Sequence, residues 1–84
     1  MGKIDAYIFI EVEIGKSEHV LNELRKLGIV KSVAFVTGIF DVIVRVSVNN
    51  LEELYEATVN YIHKIDGVKR TRTHIIEKEL KQEG

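Results

Sequence analysis

The strongest constraint on the fold is a strict alternation of residue types between Ile4 and Ile14. Every even position in this stretch is apolar, whereas the odd positions carry Asp5, two glutamates, Tyr7 and Phe9. Because successive side chains of a β-strand point to opposite faces, this period of two predicts a strand with one buried face. The two aromatic residues make the other face only partly polar.

The rest of the chain predicts two helices and three more strands. Ser17 is the predicted N-cap of the first helix and Gly28 its C-terminal cap, while Asn50 and Glu53 have capping-box spacing for the second. The predicted order is strand 4–14, helix 17–27, strand 29–37, strand 40–48 with Phe40 on its inner face, helix 50–65 and strand 68–77. The residues that follow are mostly charged.

This order predicts an α+β, ferredoxin-like βαββαβ sandwich. Right-handed crossovers place both helices on one face of a four-stranded antiparallel sheet, with the first and third strands at its centre. Eighty-four residues form one domain. We expect a single domain over residues 1–84, with a core at 4–77 and a charged, fraying tail at 78–84.

The sheet face that the helices leave uncovered, called the open face below, carries a predicted apolar patch. Its predicted members, which are also the predicted oligomer interface, are Tyr7, Phe9, Phe35, Ile43 and Arg45. Glu11 and Arg45 are expected to pair across neighbouring strands. Such a patch is unfavourable in water, so it is either tolerated, used to stack RNA bases, or covered by a second copy. RNA platforms of this topology need aromatic residues on the third strand, which are missing here, so the sequence favours a C2 dimer.

Composition excludes several classes of protein. The net charge of −1 argues against a dedicated nucleic-acid or membrane-surface binder, and there is no cysteine for a disulfide or thiolate. No apolar run approaches the roughly 20 residues of a membrane span, and the N-terminus lacks a signal peptide's apolar core. We therefore expect a cytoplasmic protein. The absence of proline, with 30% charged residues, is compatible with a thermophilic source.

No catalytic or metal-binding pattern occurs in the sequence. His19, His63 and His74 stand alone, without the spacing of a metal site. There is no nucleophile elbow and no phosphate-binding glycine loop. We expect no catalytic residue, no metal and no cofactor. The main alternative is a small dimeric ferredoxin-like enzyme with a pocket between the sheet and the helices.

The predicted hairpin around Gly38 combines groups that suit a small polar ligand. Thr37 supplies a hydroxyl, Gly38 allows close approach to the backbone, and Asp41 supplies a carboxylate for an ammonium group. The alternative is that Asp41 only closes the turn by accepting hydrogen bonds from local amides.

Four stretches of the chain together form a distinctive set. They are Ala6-Tyr7-Ile8-Phe9-Ile10, Val36-Thr37-Gly38-Ile39-Phe40-Asp41-Val42, Asn50-Leu51-Glu52-Glu53-Leu54, and Ile65-Asp66-Gly67-Val68 followed by Thr71 and Thr73. With a complete Thr-Gly-x-aromatic-Asp turn, residues 4–76 resemble the effector-binding domain of the Lrp/AsnC family of feast/famine regulators, also called the RAM domain.

The resemblance implies a non-catalytic domain that binds an amino-acid effector at an interface between dimers. It implies ligand-binding roles for Thr37, Gly38, Asp41, Thr71 and Thr73. It also implies dimers that assemble into a ring, often an octamer, and mixed assemblies with full-length Lrp/AsnC regulators. Full-length members carry an N-terminal helix-turn-helix, which this sequence lacks, so we expect no DNA binding by the chain alone.

Overall fold

The computed structural model describes residues 3–82. Its strands and helices are β1 (Ile4–Val12), α1 (Ser17–Arg25), β2 (Val30–Phe35), β3 (Val42–Val48), α2 (Leu51–Tyr55) and β4 (Val68–Ile75). After α2 the chain continues through a π-helical stretch, Glu56–Tyr61, and a 3₁₀ turn, Ile62–Lys64. The predicted α+β, ferredoxin-like order is confirmed. Residues 83 and 84 of the predicted tail lie outside the described residues.

The four strands form one antiparallel sheet in the order β2-β3-β1-β4. The prediction that the first and third strands are central is therefore confirmed. Tyr7 pairs with Arg45 on one side and with His74 on the other. Directly paired residues point to the same face, so this register decides which side chains lie under the helices.

The core lies between the sheet and the helices, as the alternation in β1 predicts. The even positions of the two central strands point to this side, and the helices add Val20, Leu24, Leu54 and Ile62. The buried strand residues are Ala6, Ile8, Ile10, Val12, Val42, Val44, Val46 and Val48. Burial of this apolar surface is the main force that stabilises the domain.

The helix ends agree with the sequence prediction only in part. The Asn50 side chain accepts a hydrogen bond from the Glu53 N–H at 2.8 Å, which confirms Asn50 as the N-cap of α2. The Glu53 carboxylate accepts from the Asn49 N–H, so the second bond of a capping box comes from the residue before the cap. Ser17 is instead the first residue of α1, whose N-cap, Lys16, makes no side-chain capping bond. Gly28 lies beyond the helix end and does not adopt a positive φ, so both predicted caps of α1 are wrong.

The prediction that Phe35 lies on the open face is wrong. A bulge between Val30 and Ser32 shifts the register of β2, and Phe35 then pairs with the buried Val42. Phe35 consequently points to the helix side at the edge of the sheet, where its side chain is 58% exposed next to Leu21 of α1. Ala34, paired with Ile43, takes its place on the open face.

Candidate functional site

The β2–β3 connection, residues 36–41, forms a hairpin that one backbone hydrogen bond closes and a second joins to β1. The Val36 N–H donates to the Asp41 carbonyl oxygen at 2.9 Å, and the Asp41 N–H donates to the Ile10 carbonyl oxygen at 3.0 Å. Thr37 and Gly38 are exposed at the tip, and Ile39 is 73% exposed. The hairpin tip therefore exposes a hydroxyl group, the backbone of a glycine and an apolar side chain at this end of the sheet.

Gly38 adopts a φ of +123°, a backbone conformation that only glycine reaches without strain. A Cβ atom added at this position would meet nothing within 4 Å. The glycine is therefore required by backbone geometry rather than by crowding. The empty space beside it gives a ligand direct access to the backbone.

Asp41 is half-buried, and its carboxylate is already in use within the fold. Its Oδ2 atom accepts a hydrogen bond from the Val12 N–H at 2.8 Å, so the carboxylate joins the start of β3 to the end of β1. The contact spans 29 residues and is not the local turn bond that the sequence suggested as an alternative. Within residues 3–82 the Oδ1 atom accepts no hydrogen bond, and that oxygen remains for a ligand.

Phe40, predicted on the inner face of the third strand, lies outside β3 and contacts the open face instead. Its ring packs edge-on against Phe9, with 5.8 Å between the ring centroids. The Arg70 guanidinium carbon lies 5.2 Å from the Phe40 ring centroid. The hairpin is therefore anchored across β1 to β4 by one aromatic ring, a contact that no local sequence pattern predicts.

Thr71 and Thr73 lie on the other side of β1 from the hairpin. They pair with Ile10 and Ile8, so they point to the helix side of the edge strand β4. The Thr71 hydroxyl contacts the Nε2 atom of His63, a residue that sequence reasoning did not connect with this position. A shallow pocket of about 360 Å³ is lined here by His63, Thr71 and neighbouring residues of β4.

The five predicted ligand-binding residues thus form two separate groups. Thr37, Gly38 and Asp41 lie together at the hairpin, while Thr71 and Thr73 lie on β4. Because β1 separates β3 from β4, the two groups lie two strand spacings apart, roughly 10 Å measured perpendicular to the strands.

The open face carries four of the five predicted interface residues, Tyr7, Phe9, Ile43 and Arg45. The predicted Glu11–Arg45 pair is wrong, because Glu11 pairs instead with Arg70 at 3.3 Å and Lys69 at 3.7 Å. Arg45 contacts Asp5 at 3.2 Å and Glu79 at 2.8 Å. The carboxylate of Glu79 raises the pKa of the Arg45 guanidinium above its ordinary value.

The buried region between the sheet and the helices offers little for catalysis. Apart from Thr58, the buried side chains described by the structure are apolar. The Thr58 hydroxyl donates to the Leu54 and Tyr55 carbonyl oxygens at 3.1 Å each. Among residues 3–82 there is no group of three or more His, Asp or Glu side chains placed to hold a metal ion. No helix in the same range is long and apolar enough to cross a membrane.

Comparison with known proteins connects this geometry to one family. The family model of the Lrp/AsnC ligand binding domain matches residues 5–84. An uncharacterized HTH-type transcriptional regulator of Pyrococcus abyssi is 38% identical over 74 residues, which cover 88% of this chain and 47% of the regulator. The chain spans about half the length of the curated relatives it matches. These relatives come from a thermophilic genus, which agrees with the thermophilic source suggested by the many charged residues and the absence of proline.

Solved structures show the same fold. The crystal structure of FFRP-DM1 has a TM-score of 0.83 and 29% identity, and the match covers 87% of this chain and 97% of that one. The transcriptional regulator NMB0573 of Neisseria meningitidis, solved as a complex with L-Met, has a TM-score of 0.87 and 20% identity. This match covers 94% of this chain and 53% of the Neisseria chain. The relatives are transcription regulators rather than enzymes, and the chain belongs to the Lrp/AsnC family of ligand-binding domains.

Proposed function

We propose that this chain is the effector-binding and self-associating part of a transcription regulator, and that its effector is an amino acid. The observation that carries the proposal is the match of nearly the whole chain to the Lrp/AsnC ligand binding domain, with the complete Thr37–Asp41 turn at an exposed hairpin. The complex of the Neisseria regulator with L-Met supports an amino acid as the ligand class.

The hairpin has suitable groups for the two charged ends of an amino acid. The Oδ1 atom of Asp41 accepts from the ammonium group, and the accessible backbone beside Gly38 accommodates the carboxylate. A charge-assisted hydrogen bond of this kind contributes about 1.5–3 kcal/mol. Ile39, exposed at the hairpin tip, contacts an apolar side chain of the effector.

A single chain provides only part of this site. The hairpin and the Thr71–Thr73 pair lie on different strands, and Thr71 and Thr73 point to the helix side. We propose that the ligand contacts the hairpin of one copy and the Thr71–Thr73 pair of another. On this proposal, effector binding and assembly are linked, because the ligand stabilises the contact between copies.

Self-association through the open face is the second part of the proposal. Tyr7, Phe9 and Ile43 are half-buried in the isolated chain and form an apolar surface that a second sheet can cover. A C2 dimer formed in this way extends the core, and further contacts at the hairpins give a ring such as an octamer. Full-length Lrp/AsnC regulators are the proposed partners of mixed assemblies in the cytoplasm, and they supply the DNA-binding unit.

Isothermal titration with each of the twenty amino acids, combined with light scattering, tests the proposal. We expect one amino acid or a few similar ones to bind, and an oligomer larger than a monomer. The Asp41→Asn variant should lose the binding heat, while Asp66→Asn, which removes a carboxylate paired with Lys16 and not part of the hairpin, should keep it. A monomeric chain that binds none of the amino acids would contradict the proposal.

A further inference from the structure

The last described segment of the chain contacts the open face of the sheet. After β4 ends, the Ile76 N–H donates to the Asp5 carbonyl oxygen at 2.9 Å, and Glu79 then reaches Arg45 on β3. The Arg45 side chain reaches from β3 over the Tyr7 ring of β1, so Glu79 meets the guanidinium on the open face above β1. Glu79, in the predicted charged tail, thus has a partner on the sheet.

The contact between Glu79 and Arg45 is bidentate. The Arg45 Nη1 atom donates to Glu79 Oε2 at 2.9 Å, and Nη2 donates to Oε1 at 2.8 Å. This fork geometry is the strongest form of an arginine–carboxylate pair. Asp5, at 3.2 Å from Nη2, and the Tyr7 ring, with its centroid 5.7 Å from the guanidinium carbon, hold the arginine in place. The hydrogen bonds from Arg45 lower the pKa of the Glu79 carboxyl.

The same residues belong to the surface proposed for self-association. Two sheets that pack face to face lie about 10 Å apart, a space that their own side chains fill. A chain segment between them would prevent this packing. Residues 76–80 and a second sheet therefore compete for the area around Tyr7 and Arg45.

We propose that residues 76–80 form a latch that closes over the open face through the Glu79–Arg45 pair and competes with a second copy of the chain. The inference rests on the proposed self-association and adds its regulation. Phe9 and Ile43 pair with each other farther along the face, away from the contact with Glu79. An encounter with a second copy can begin there, and dimerisation is complete when both latches have opened.

The expected size of the effect follows from the need to open two latches. Both copies have to open before they dimerise. If each latch is open about one third of the time, the apparent dimer Kd is about ninefold higher than that of a chain without a latch. The pair is partly exposed, so salt screens it. Added salt should therefore open the latch and strengthen dimerisation of the wild-type chain, while it has little effect on a chain without Glu79.

Sedimentation or light scattering over a wide concentration range tests the latch in Glu79→Gln, with Glu77→Gln as the matched control. Glu77 lies in the same segment and is exposed, so both variants lose one negative charge from the tail. We expect Glu79→Gln to lower the dimer Kd severalfold at low salt and to equal the wild type at high salt, whereas Glu77→Gln behaves as the wild type throughout. An unchanged Kd in Glu79→Gln overturns the latch. A raised Kd overturns it too, because Glu79 would then bind Arg45 of the second copy.

A second measurement on dilute, monomeric protein separates failure of the latch from failure of the proposed self-association. A soluble paramagnetic probe should broaden the Tyr7 ring resonances more in Glu79→Gln than in the wild type or in Glu77→Gln. Equal broadening in all three proteins overturns the latch. The broadening could instead differ while none of the proteins associates at any concentration. The contact between Glu79 and Arg45 would then be confirmed, but the proposed self-association, and with it the role of the latch, would be contradicted.

Discussion

The Asp41 carboxylate and the Val12 amide are joined by a 2.8 Å hydrogen bond between the start of β3 and the end of β1. Val12 is buried, and removal of the carboxylate takes away the acceptor of its N–H. The same side chain thus stabilises the hairpin through Oδ2 and, on the proposed function, binds the effector through Oδ1. Two substitutions at one position separate these roles.

Asp41→Ala should destabilise the fold, and Asp41→Asn should not. Alanine leaves the Val12 N–H unpaired, which costs about 1–3 kcal/mol of unfolding free energy, whereas the asparagine side-chain oxygen still accepts the bond. Urea unfolding measures this difference. Titration with the effector should show that both variants lose affinity by about 10–100-fold, because both lack the charge that an ammonium group needs. Full affinity in Asp41→Asn would show that Asp41 has a structural role only.

Two glycines with positive φ should respond very differently to alanine. A Cβ on Gly67 would lie 2.5 Å from the Cβ of Lys16 and 3.2 Å from a methyl group of Val20, while the same atom on Gly38 would meet nothing within 4 Å. Gly38→Ala should cost only the backbone strain, about 1–3 kcal/mol. Gly67→Ala adds a clash with the start of α1 and should cost clearly more. Equal unfolding free energies for the two variants would contradict this comparison.

The sequence predicts the fold well because its strongest signals are local. The alternation in β1 and β3 identifies the buried face, and the Asn50–Glu53 spacing identifies the start of α2. Phe35 was placed on the wrong face because one bulge in β2 reverses every side chain that follows it. Val30 and Val33 are both apolar but three positions apart, and a regular strand would place them on opposite faces, so this spacing indicates the bulge.

The candidate site was predictable only in its hairpin part. Thr37, Gly38 and Asp41 are close in sequence and remain close in the structure. The partners of Asp41 and of Arg45 are 29 and 34 residues away, and no short motif specifies such contacts. The contact of His63 with Thr71 likewise depends on how the 3₁₀ turn after the π-helical stretch meets β4.

The ion pair between Lys16 and Asp66 predicts a dependence of stability on pH. Their 2.8 Å contact lowers the pKa of the Asp66 carboxyl, mainly through the hydrogen bond from the Lys16 ammonium. A carboxyl group with a lowered pKa in the folded state stabilises the fold above its ordinary pKa, and this contribution disappears as the pH falls through the folded-state value. The pair should therefore stabilise the protein at neutral pH and not in strong acid.

The variant Lys16→Met tests this linkage and keeps the aliphatic part of the side chain beside Gly67. In an NMR titration the pKa of Asp66 should return toward its ordinary value. The control is Lys26→Met, which removes the partner of Glu23 at 2.8 Å and should raise the pKa of Glu23 but not that of Asp66. An Asp66 pKa that does not change in Lys16→Met would rule out the ion pair in solution.

Finally, a mixing experiment decides whether the ligand site contains residues from two copies. Asp41→Asn and Thr71→Val should each weaken effector binding by about 10–100-fold alone, because each removes one of the two groups from every site. If a site takes Asp41 from one copy and Thr71 from another, random assembly of an equal mixture restores about one quarter of the sites. If both residues act within one copy, no intact site can form. Titration of the co-refolded mixture counts the sites directly, with each variant refolded alone as the control, and an absence of binding in the mixture would contradict the two-copy site.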